Sequence, residues 1–238
     1  MRNAKAIFAL IILMTCVAMP AAAQTASRQA SGPPQGAAKT AAAATHGITI
    51  DGIAARIGSD VVTDSEVRQL EDYQRLIDGQ AQSRAKVVQE LVDQWIVRTE
   101  AATAKFPHPT EREMTEEFQA LRKQFSSPQQ FQARLARAGL TQDEVRQVLE
   151  RQLYYARFLD YKFHAASRVT RAQIAEYYQK ELAPRLKKKG AAVPPLDQVE
   201  AQIRQLLTQE EINQKAAQWL EEAKARLQIV IQPSGGGG

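Results

Sequence analysis

"GIAARIGSDVVTDSEV", residues 52–67, carries two different periods within one short stretch. Ile53, Ala55 and Ile57 recur at every second position, the spacing of a half-buried strand, and Gly58, Ser59 and Asp60 after them are turn formers. A short hairpin is therefore expected. Thr63 with Glu66 three residues later is the signature of a capping box, in which a hydroxyl takes an orphan backbone N–H at a helix start while the carboxylate reaches back. The stretch is thus a sheet element that passes directly into a helix. The rest of the chain must supply a partner for the strand and a packing surface for the helix.

The same capping signature recurs at Thr110/Glu113, Thr141/Glu144 and Thr170/Gln173, marking three further helix starts. Val87, Val88, Leu91, Trp95 and Ile96 lie at helical spacing in residues 84–104, and Val145, Val148, Leu149, Gln152, Ala156, Leu159 and Phe163 in residues 142–166. Both are expected to be long helices with one apolar face. Between them come shorter helices over 111–125 and 128–138, where Pro128 suits a first turn and Gly139 a stop. A last helix is expected over 196–226, followed by "LQIVI" as a strand over 227–231 that pairs with the strand at 53–57. The fold class is therefore mainly α, a multi-helix lobe with a small β-sheet formed by N-terminal and C-terminal strands.

The chain ends set the compartment. Arg2 and Lys5, the apolar run from Ile7 to Val17, and Ala21, Ala22 and Ala23 after Pro20 have the layout of a secretory signal over residues 1–23, cleaved before Gln24. The run is shorter than the roughly 20 residues of a membrane span, which makes an uncleaved anchor the weaker reading. Lipidation at Cys16 is weaker still, because Met14 and Thr15 stand where small residues are wanted. Cleavage would leave a mature chain without cysteine, and with no disulfide or thiolate chemistry. Residues 24–45 hold Ala, Ser, Gly, Gln and Pro with no large apolar side chain, and read as a disordered leader; 233–238 read as a disordered tail. One domain over 46–232 remains, with an N-terminal part 46–183, a joint 184–195, and a C-terminal helix and strand 196–232.

Charge and chemistry narrow the function. Arg2, Lys5, Arg28 and Lys39 account for four of the formal +5, so 46–232 carries +1, which is no footprint for nucleic acid. His46, His108 and His164 are too scattered to form a metal cluster or a catalytic pair. Adjacent acids such as Glu116 with Glu117 point to different sides of a helix and make no acid/base dyad. No phosphate-binding loop, nucleophile elbow or zinc spacing is present in the sequence. The reading is that the protein is not an enzyme and takes no cofactor or metal. Lys187, Lys188 and Lys189 form a short basic run that suits a solvated loop, or a weak contact with an anionic membrane surface or acidic segment.

What is left for function is apolar surface. Met114, Phe118, Leu121, Phe125, Phe131 and Leu135 lie on the two short helices and are the candidates for a polypeptide-binding groove, since aromatic and methionine side chains adapt to many sequences. The competing reading is that they form the core of a helical lobe. Tyr154 and Tyr155, being adjacent on one helix, cannot both lie at the centre of its buried face.

In order along the chain, "IDGIAARIGSDVVTDSEV", "LVDQWIVRTEA", "VTRAQIAEYYQKEL" and "PLDQVEAQIRQLLTQEEINQKAAQWLEEAKARLQIVI" resemble the SurA-type periplasmic chaperones, with the related PrsA-like and trigger-factor-like lobes, over residues 48–232. In multidomain members, parvulin-type prolyl isomerase modules lie between the equivalents of "AEYYQKEL" and "PLDQVEAQI". Here that interval is far short of the roughly 100 residues of a compact domain. The resemblance implies a periplasmic, ATP-independent holdase for unfolded or extended polypeptides, outer-membrane protein precursors in particular, without isomerase activity. The other reading is a periplasmic scaffold that binds one folded partner, with the long helices available to join two copies as a homodimer.

Overall fold

The computed structural model describes residues 51–232, and the signal, leader and tail readings lie outside those residues. Strand β1 (Ile53–Ile57) turns at Gly58, whose φ of 60° suits the first central position of a two-residue hairpin loop, and returns as β2 (Asp60–Thr63). Thr63 then caps α1 (Asp64–Asp78): its Oγ1 accepts the Glu66 N–H, and its own N–H donates to Glu66 Oε2 at 2.9 Å. At the far end β3 (Ile229–Ile231) pairs antiparallel with β1, giving a three-stranded sheet in the order β2-β1-β3. The sheet of N-terminal and C-terminal strands on a mainly helical body is the expected fold class.

Six more helices follow in the order expected, α2 (Arg84–Thr103), α3 (Glu111–Arg122), α4 (Pro128–Ala138), α5 (Gln142–Phe163), α6 (Arg171–Tyr177) and, after a seventh short one, α8 (Leu196–Arg226). The boxes at Thr110, Thr141 and Thr170 all close, so the start of α3, α5 and α6 is fixed by its own first residues. Gly139 ends α4 with φ of 72°, a left-handed conformation that costs glycine nothing.

Helix α5 is central, packed against α1, α2, α3 and α8, while α4 rests on α1 and α6 on α8. The core runs from the inner face of the sheet, Ala55 and Ile57, through Val67, Leu70 and Leu76 of α1 and Val87, Val92 and Val97 of α2, to Val145 and Leu149 of α5. Each fully buried side chain of this size contributes about 1.5–3 kcal/mol over its exposed state.

The joint at 184–195 is corrected in its first half. The chain does not leave the helix at Pro184: α6 passes into a π-turn at Tyr178–Leu182, and then into α7 (Ala183–Lys188) with Pro184 in its first turn. A proline inside a helix lacks a donor and crowds the carbonyl four residues back, here Lys180, and the wider π-turn that contains Lys180 makes room for it. Only the segment from Lys189 to Pro195 is non-helical, and Tyr178 Oη holds it by donating to Pro194 O at 2.7 Å.

Candidate functional site

Of the six groove candidates, Met114, Phe118, Leu121, Phe131 and Leu135 are buried, and Phe125 is half-buried. Met114, Phe118 and Leu121 lie on the buried face of α3, which packs on α5; Phe131 and Leu135 lie on that of α4, which packs on α1; and Phe125 lies in the turn between the two helices. The Phe118 and Phe131 rings meet edge-on at 6.0 Å, and Phe125 meets Phe131 at 5.1 Å. Guanidinium groups seal the cluster from outside, with Arg146 5.3 Å from Phe118 and Arg134 5.8 Å from Phe125. Five of the six therefore belong to the core, as the competing reading has it.

Open concave surface lies instead on both sides of Tyr155. Tyr154 is buried and donates its hydroxyl to Phe106 O at 3.2 Å, while Tyr155, half-buried, stands at the surface of α5. On one side of it is a narrow cleft of about 40 Å³ between β2, α2 and α5, bordered by Val61, Trp95, Arg98 and Arg151. Trp95 Nε1–H is held by Asp60 Oδ2 at 3.0 Å, and Arg151 donates to Gln69 Oε1 at 2.7 Å. Burial, with the like charge of Arg98, depresses the Arg151 pKa. On the other side a wider hollow of about 280 Å³ opens between α2, α5 and α8, with Tyr155, Leu159, Ala216 and Leu220 as apolar walls and Asp93, Asn213 and Glu221 as polar ones.

The hollow is tied together by charge. Lys224 of α8 reaches Asp93 of α2 at 2.7 Å and Glu221 at 2.9 Å. Burial raises the Asp93 carboxyl above its ordinary range although Lys224 opposes the shift. Lys224 itself is lowered by burial, but its hydrogen bonds and ion pairs with Asp93 and Glu221 outweigh this and raise it. One turn earlier, burial also raises Glu90, which accepts from Gln74 Nε2 and Gln94 Nε2, both at 3.2 Å. Burial and these two carboxylates then push the Tyr155 hydroxyl well up, so it stays a neutral donor.

On a different side of α5 from the hollow, one exposed ring, Tyr161, lies over rings that are buried or half-buried. Tyr161, 66% exposed, lies 5.2 Å from Phe106 and 6.3 Å from Phe158, and His108 stacks on Tyr154 at 4.4 Å. Lys162 sits 4.7 Å from the Trp219 ring, joining α5 to α8. Helical spacing predicts Trp95 on the apolar face of its helix, where it is half-buried, and allows only one of Tyr154 and Tyr155 at the buried centre of α5. The one signal for an exposed ring was that "YYARFLDY" has more rings than one buried face can hold.

His108 lies 3.7 Å from Glu150 and His164 lies 3.1 Å from Asp160 at the end of α5, while His46 is outside the described residues. No group of three His, Cys, Asp or Glu residues among the described residues is placed to hold a metal, and no helix among them is long and apolar enough to cross a membrane. Lys187 and Lys188 close α7 and Lys189 caps it, all exposed. Compared with known proteins, the chain matches no family model and no curated relative.

Proposed function

We propose that the protein is an exported, ATP-independent holdase of the SurA type that keeps unfolded or extended polypeptides, outer-membrane protein precursors in particular, from aggregating in the periplasm without isomerising their prolines. The observation that carries this reading is the open hollow beside Tyr155, apolar on one wall and polar on the other. Such a surface takes up apolar side chains through many weak contacts while its polar rim keeps it soluble. Export rests on the layout of residues 1–23, independence from ATP on the absence of a phosphate-binding loop in the sequence, and client class on the family resemblance. The seven residues from Lys189 to Pro195 leave no space for an isomerase module between α7 and α8.

The test is suppression of aggregation of a denatured outer-membrane barrel protein. Wild type should protect at near-stoichiometric ratio. Ala217→Trp, which fills the hollow from its exposed rim, and Tyr161→Ser, which removes the exposed ring of α5, should each protect less while melting like wild type. A wild type that gives no protection, or folded variants that protect fully, would overturn the proposal. A separate protease-coupled peptide assay should show no prolyl isomerase turnover above background.

A further inference from the structure

The edge of the sheet at β3 has a pairing pattern of its own. Gly58 N–H donates to Gln228 O at 3.0 Å and Gln232 N–H to Ala54 O at 2.9 Å, with Arg56 opposite Val230 between them. In an antiparallel ladder, hydrogen-bonded pairs alternate with pairs that point away. Positions 228, 230 and 232 therefore face β1, and the N–H and C=O groups of Ile229 and Ile231 point out of the sheet. Among the described residues no strand pairs with that side. The edge is also apolar, with Val230 54% and Ile231 39% exposed. Exposed edges of this kind invite another strand unless something covers them.

The sequence of the edge identifies what covers it. Residues 228–232 read Gln-Ile-Val-Ile-Gln, the same in both directions. We propose that β3 pairs antiparallel with β3 of a second copy of this chain about a two-fold axis through Val230, joining the two sheets into one of six strands. In that register Ile229 stands opposite Ile231 of the other copy, and the outward N–H and C=O groups of both exchange hydrogen bonds, four in all. Val230 meets its own counterpart as the pair between them, and Gln228 meets Gln232. Each side chain thus meets its own kind across the axis, Ile against Ile, Val against Val and Gln against Gln, in a contact that is isologous by its two-fold symmetry. Among the described residues α1 and α2 pack on β1 and β2, while β3 packs chiefly on β1. An edge of five residues buries less than the roughly 1,200 Å² of a standard interface, so the dimer is weak and depends on concentration.

Sedimentation of the full chain over a concentration series tests this. Wild type should shift from monomer to dimer. Val230→Lys sets two like charges opposite one another and should weaken association about tenfold or more, with unchanged circular dichroism. Ile231→Pro removes only an outward donor and should do the same while leaving the β1 ladder intact. Val230→Cys in a Cys16→Ser background should cross-link on oxidation, because Cα atoms of such a pair lie about 4.5 Å apart; Gln228→Cys alone, whose counterpart is Gln232, should not. A wild type that is monomeric at its highest soluble concentration overturns the proposal. So does a dimer indifferent to Val230→Lys and Ile231→Pro, or an edge that takes a foreign extended peptide with no self-association.

Discussion

Helices α3 and α4 together have 23 residues, and bury Met114, Phe118, Leu121, Phe131 and Leu135. Helix α8 has 31 residues, yet only Ile203, Ile212, Ala216 and Leu220 of its apolar side chains are buried. The contrast teaches that helix length and local stability are separate properties. The short pair is anchored by Phe118, Phe131 and their neighbours on α5 and α1, whereas the long helix is held in separate places: by packing on α5 and on α6, by the Lys224–Asp93 ion pair near α2, and by the β3 ladder beyond its end. A region held in separate places can carry an open hollow, because no continuous seam has to close over it.

The sharpest way to break this comparison is Phe118→Ser, which removes a buried ring and leaves a hydroxyl beside Phe131. It should cost about 3–5 kcal/mol in chemical denaturation. Phe125→Ser, at the half-buried margin, should cost only about 1 kcal/mol. Equal and small losses would mean that the Phe118–Phe131 cluster is not a core. Next in size is deletion of 227–238, which uncovers Ala55 and Ile57 and removes the β1–β3 ladder. A loss of about 2–3 kcal/mol in one cooperative transition is expected, and unchanged melting would show that α8 needs no anchor at its end.

Smaller again is Lys224→Ala. It leaves the Asp93 carboxylate partly buried without its cation and should cost about 1–2 kcal/mol at neutral pH. Burial holds Asp93 above its ordinary pKa, so the defect should shrink as pH falls through that raised value and the carboxyl takes up a proton. A defect that stays constant with pH would assign the loss to the lysine stem alone. The smallest effect is expected at Glu90→Gln, a gain of about 0.5–1 kcal/mol at neutral pH. The folded chain binds the Glu90 proton more tightly than the unfolded chain does, so the wild-type penalty is complete above the raised pKa and fades as pH falls through it toward the ordinary 4.5. The two proteins should therefore converge in melting temperature on acidification, and a gap that widens would reverse the assigned direction.

The elements were legible in the sequence where the signal is local. Thr63, Thr110, Thr141 and Thr170 each begin a helix because the third residue onward completes the same box. The pairing of the two distant strands was legible too, since two short alternating runs in a helical chain have few other partners. The helix through Pro184 was not, because a π-turn has no composition of its own. The candidate groove failed for a different reason. Spacing shows that Phe118 and Phe131 share an apolar side with their neighbours, but whether that side meets another helix or water depends on how α3 and α4 pack, which no local pattern encodes. Tyr155 escaped for the converse reason: it borders the hollow only because α8 returns alongside α5.

The antiparallel pairing of β1 with β3 has a mechanical consequence. Residues 54 and 232 are joined by the last bond of that ladder, and the chain leaves the sheet at that same end in both directions. A force applied through the two ends of the described chain therefore loads one hydrogen bond at a time, Gln232 to Ala54 first, as a zipper is opened, and never shears the ladder as a whole. The lobe resists heat through its buried seams, but to a pull it presents its weakest direction, and β3 followed by α8 peels away before the helices around α5 feel any tension.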